Sequence, residues 1–113
     1  MQNDNLIVQL SFQFALEIIS FTEILEERRR FNLANQLFRC GTSIGANVRE
    51  AQGSESRPDF IHKMKLAYKE AEEARYWLEL CVQSENYPSP TKLLEDIMVI
   101  LKVLGKIIST SKA

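Results

Sequence analysis

The chain is predicted to be all-α: one domain spanning residues 1–113, an up-down-up-down four-helix bundle that assembles into an oligomer. Three observations carry that expectation. Apolar residues recur every three or four positions through four separate segments, the period of one helix face. No stretch alternates apolar and polar residues with period two over the length of a strand. Finally, 113 residues hold only 4 Gly and 3 Pro, too few turn-formers for a β-rich fold and enough chain for one core. Helices of this length joined by short links run antiparallel to their sequence neighbours.

The first helix is predicted over residues 6–28. Leu6, Leu10, Phe14, Ile18, Phe21 and Leu25 make its stripe, and Asp4 or Asn5 is the candidate cap. Val8, Phe12, Ala15 and Ile19 widen the stripe beyond what one core needs, which points to a contact with other copies. Arg28, Arg29 and Arg30 close the segment at the negative pole of its dipole. The second helix, 31–52, starts near Asn32 and buries Leu33, Leu37, Cys40 or Gly41, Ile44, Val48 and Ala51. The third, 58–85, follows a polar break: Ser56 or Arg57 precedes Pro58, a residue favoured in the first helical turn. Its inner face reads Phe60, Ile61, Met64, Ala67, Tyr68, Ala71, Arg75, Leu78 and Val82. Pro88 and Pro90 stop it, and Ser89-Pro90 reads as cap and first residue of the fourth helix, 90–109. Leu93, Leu94, Ile97, Ile100, Leu101, Leu104 and Ile108 are apolar there.

One stretch resists its own helix. Gly41 and Gly45 lie in the middle of the second segment, with Thr42, Ser43 and Ala46 among them. Each such glycine costs about 0.8–1.0 kcal/mol relative to Ala. Close backbone approach is the compensation, and the alanines at 67, 71 and 74 make the third helix the expected partner.

The same region carries a resemblance. "GTSIGANVREA" at 41–51, "SRPDFIHKM" at 56–64 and "ARYWLEL" at 74–80 resemble the signature of a bacterial four-helix bundle family. Its founding members are encoded by intervening sequences within 23S ribosomal RNA genes. The resemblance implies a left-handed up-down bundle and a ring-shaped homopentamer, and implies no established activity. It also extends to the accessory protein of diversity-generating retroelements, a basic pentamer that binds nucleic acid and a reverse transcriptase. The net charge of −1 departs from that basic character.

Charge is nonetheless segregated. Residues 28–69 hold nine basic residues against three acidic ones; the rest of the chain holds five against twelve. Arg28, Arg29, Arg30, Arg39, Arg49, Arg57, Lys63 and Lys65 are therefore the candidate contacts to RNA or DNA, salt-sensitive and sequence-blind. The rival expectation is a protein-interaction scaffold whose basic faces are simply solvated or paired. Catalysis is not expected. The single histidine, His62, offers one Asp59/His62 pair where a di-metal bundle needs two, and Cys40 and Cys81 read as core residues. No metal or cofactor is expected. The longest unbroken apolar run, residues 97–101, is far short of a membrane span, residues 1–5 lack the basic start of a secretory signal, and the expected compartment is the cytoplasm with both thiols reduced.

Overall fold

The computed structural model describes residues 2–112, with side chains described from residue 5. It has four α-helices and, among the described residues, no strand: α1 (Gln2–Glu27), α2 (Phe31–Ala51), α3 (Arg57–Gln83) and α4 (Thr91–Lys112). Each packs against two others, α1 on α2, α2 on α3, α3 on α4 and α4 back on α1. The resulting rod measures 46 × 20 × 18 Å. Between α2 and α3, Arg39 reaches Glu70 and Glu73, whereas Glu50 reaches Lys63 at 3.0 Å. Residue numbers therefore fall along α3 as they rise along α2.

The core follows the predicted stripes with shifts of register at the helix ends. Ile7, Phe14, Ile18 and Leu25 from α1 meet Leu37, Cys40, Ile44 and Val48 from α2, and all are buried. Ala67, Ala71, Ala74, Met64 and Leu78 come from α3, and Ile97, Ile100 and Leu104 from α4. Leu6 is exposed where Ile7 is buried, because Ile7 lies two helical turns before Phe14 on the same line. Val82 is likewise exposed, and Ile107 takes the buried place next to a half-buried Ile108. Two polar residues join the core. Ser11 donates to the Ile7 carbonyl at 2.7 Å and Thr22 to the Ile19 carbonyl at 3.1 Å, so neither leaves a hydroxyl unsatisfied.

The helix ends differ more from expectation. α1 starts at Gln2, which places Asn5 inside the helix rather than at its cap; the side chain of Asp4 lies outside the described residues. At the other end, Arg28, Arg29 and Arg30 form the turn itself. Arg30 N–H donates to the Leu25 carbonyl and Arg29 N–H to that of Glu26, the paired bonds of a Schellman stop. Arg29 takes the left-handed conformation (φ 62°) that glycine usually fills. Arg30, not Asn32, stands at the α2 cap, and no side chain satisfies that end. Ser56 does cap α3, accepting from the Asp59 N–H at 3.2 Å. α4 begins one residue later than expected, with the Pro90 carbonyl accepting from the Leu94 N–H at 2.9 Å.

The glycines pack closely, but against a different helix. A Cβ built on Gly41 would lie 2.8 Å from Ile18 Cγ1, and one on Gly45 would lie 3.3 Å from the Ser11 carbonyl oxygen. Both neighbours belong to α1, so the expected pairing with Ala67, Ala71 and Ala74 is replaced; those alanines fill the core instead. The reason is Ser11. A small side chain bonded back to its own helix lets the α2 backbone reach the α1 backbone. Ala46 is exposed and takes no part in the core, because it lies one residue past Gly45 and points away from α1's buried line. Ile18 is buried, β-branched and confined to one rotamer in a helix, so it cannot turn aside. Gly41→Ala is therefore expected to destabilise the fold by about 1–3 kcal/mol despite its better helix propensity. Chemical denaturation measures this, and a variant as stable as the wild type would contradict the contact.

Candidate interaction surface

The eight candidate nucleic-acid contacts do not form one patch. Arg28, Arg29 and Arg30 sit at one end of α2 and Arg57 beyond the other, separated by about 30 Å of helix. Several are already engaged within the chain. The Arg39 guanidinium bonds both Glu70, at 3.2 Å, and Glu73, whose carboxylate also accepts from the Trp77 indole N–H at 3.0 Å. Lys63 pairs with Glu50 at 3.0 Å. Arg49 lies over the Phe12 ring, 5.4 Å from its centroid, and half-buried Arg30 lies over the Tyr87 ring at 4.8 Å. Arg28, Arg29, Arg57 and Lys65 are exposed and enter none of the ion pairs formed by the described residues. The acids that neutralise the basic segment, Glu70 and Glu73, come from outside the sequence window that made it look basic. Only the folded contact reveals that cancellation.

The seam between α1 and α2 is apolar on its outer side. Phe12 is 51% exposed and Phe38 47%, with Leu16 and Ile19 also exposed. Two grooves open along it. One, of about 200 Å³, is lined by Phe12, Ala15, Thr42, Gly45 and Ala46 with Arg49; the other, of about 320 Å³, by Ile19, Ala34 and Phe38 with Glu23, Glu26 and Asn35. The small residues of α2 thus act twice, admitting α1 on one side and leaving a furrow on the other. The same excess shows in α1 as a whole. Residues Asn5–Glu27 reach a mean hydropathy of 1.3 and are long and apolar enough to span a membrane, although no long unbroken run is present. The average rises because Ser, Thr and Gln, rather than charges, separate the apolar residues. Only 33% of that window is buried, and Leu6, Phe12, Leu16, Ile19 and Ile24 are its exposed large apolar residues.

The chain was compared with known proteins. The family model described as 23S rRNA-intervening sequence protein matches residues 3–109. Among solved structures, a protein of unknown function from the S23 ribosomal protein family of Bacteroides thetaiotaomicron is 39% identical, with a TM-score of 0.89. That match covers 95% of this chain and 98% of the other. No curated protein shows a significant match.

The Asp59 N–H serves the α3 cap, and His62 is exposed. Cys40 and Cys81 are free and buried. Burial, aided by the nearby Glu73 charge, pushes the Cys40 thiol up from 9.0 to about 12, and burial pushes Cys81 up to about 11. Burial thus holds both thiols in their neutral form at neutral pH. The sign of the pH dependence follows. Both folded values lie above the unfolded one, so their contribution to stability is complete below about pH 9 and is lost as pH rises towards 11 and 12. Unfolding free energy is expected to drop by about 2–3 kcal/mol between about pH 8 and 10, with a flatter slope in a double Cys40→Ala, Cys81→Ala variant. Equal slopes would assign the loss to other groups.

Proposed function

The chain belongs to the family of 23S rRNA-intervening sequence proteins, and we propose that it acts there as a non-enzymatic, homo-oligomeric binding protein, an adaptor rather than a catalyst. Its helices would run up-down-up-down, as the reversed numbering across α2 and α3 supports. The assembly would be a pentamer, as the resemblance implies, working in the cytoplasm. The observation that carries this reading is the unpartnered apolar seam of α1 and α2, with Phe12, Leu16, Ile19 and Phe38 in water. Exposed apolar area on this scale marks an interface. A second copy is the occupant that the excess apolarity of α1 supports best.

A second reading, contact with RNA or DNA, is favoured by the unpaired cations Arg28, Arg29, Arg57 and Lys65. A ring would repeat them in every subunit. The competing scaffold function needs no such contact, and binding to generic RNA at low salt separates the two. Binding is expected to weaken steeply as salt rises; no binding at low salt would leave the scaffold.

Light scattering tests the assembly. The wild type is expected at about five chain masses, and Phe12→Glu with Phe38→Glu at one, with helical circular dichroism retained, because charges are depleted from interface cores. A monomeric wild type, or a double variant of unchanged mass, would remove the seam from the account.

A further inference from the structure

The largest groove described lies away from the apolar seam, between α3 and α4. It encloses about 580 Å³, within the usual range for a small-molecule site. Lys65, Tyr68, Lys69, Gly105, Ser109 and Lys112 line it, and among the described residues no acidic side chain does. Lys65 and Lys69 stand one helical turn apart, a spacing at which like charges repel. Neither enters an ion pair among the described residues. Lys112 brings a third ammonium to the groove from α4. Three lysines from two helices thus line one groove, and among the described residues no acidic side chain joins them there.

Gly105 is the second observation. A Cβ there would lie 3.8 Å from Tyr68 Cε2, an ordinary contact, and its φ is not positive. Neither packing nor backbone conformation requires glycine. It lowers helix propensity and leaves the edge of the half-buried Tyr68 ring facing open space. An aromatic ring beside convergent ammonium groups matches a planar base joined to a phosphate.

We propose that this groove binds a nucleoside phosphate, one unit of a single-stranded nucleic acid, with the base against Tyr68 and the phosphate among Lys65, Lys69 and Lys112. The proposal rests on the nucleic-acid reading above and gives it a place. Lys65 was visible as a candidate in the sequence; Tyr68, Gly105 and Lys112 enter only through the fold.

The test is fluorescence anisotropy of a labelled oligouridylate of about twelve nucleotides at about 20 mM salt. Gly105→Leu adds bulk to the groove while removing no charge, its Cβ meeting only an ordinary 3.8 Å contact, and helical circular dichroism checks that the variant is folded. It is expected to weaken binding about tenfold, as is Tyr68→Leu, whereas Tyr68→Phe keeps the ring and the affinity. Lys92→Gln, about 20 Å along α4 from Gly105, is expected to change affinity by less than about threefold. Uridine monophosphate distinguishes a free nucleotide from a strand: displacement of the oligomer from wild type assigns the groove to the free unit as well, and no displacement assigns it to the strand alone. If wild type binds and Gly105→Leu binds equally, the groove proposal falls and the nucleic-acid reading stands. If wild type does not bind at all, both fall.

Discussion

The bundle depends on one close contact, where α2 lacks side chains and α1 crosses it. At Gly41 the space of a Cβ is taken by Ile18, and at Gly45 it is nearly taken by the Ser11 backbone. Two glycines inside one helix are a poor local choice, offset by the approach of two backbones. Much else follows from that approach. Ile18 and Phe14 lie deep among Leu37, Cys40 and Ile44. Ser11, one line over, becomes a core residue and satisfies itself on Ile7. Thr42 and Ala46 are left on the outer side of the seam, where bulk is missing and Phe12 and Phe38 border the gap.

The four helices were legible because their apolar period persists over many turns. The start of α3 was legible from Pro58 after a polar break, whereas the choice of Ser56 over Arg57 at its cap is settled only by the bond from the Asp59 N–H. The turn at Arg28 to Arg30 was not. Nothing in three consecutive arginines signals a left-handed residue, and Arg29 occupies one only because the bonds from Arg29 and Arg30 close the turn. Leu6 and Ile7 could not be ordered from periodicity, since adjacent apolar residues fit the same stripe until its phase is fixed by Phe14. The glycine partner was misjudged for a related reason. Alanines advertise a thin helix, whereas a serine is read as surface until its hydroxyl is seen bonded to its own backbone.

The interaction surfaces were less legible than the fold. Counting charges along the chain joins residues that the folded rod puts at opposite ends, and it misses acids that fold back onto them. Arg39 is held by Glu70 and Glu73, and the latter also takes the Trp77 indole. Among the described residues, the cations outside any ion pair include Arg57 and the lysines that line a groove with Tyr68, from α3 and α4. The apolar seam was half visible, in the breadth of α1's stripe, but its second wall at Phe38 required the register of α2. The chain thus presents two kinds of unsatisfied surface, one apolar at Phe12 and Phe38 and one lined by lysines beside Tyr68.

The most direct test of the central contact is a double-mutant cycle in which Gly41→Ala is introduced into an Ile18→Ala background and unfolding free energy is measured. Removing the Ile18 branches frees the space that a Cβ at position 41 would take. The alanine should then lose its penalty and stabilise the helix by up to about 1 kcal/mol, a reversal of sign. The same penalty in both backgrounds would show that Ile18 does not fill that space, and the account of why α2 carries glycine there would be wrong.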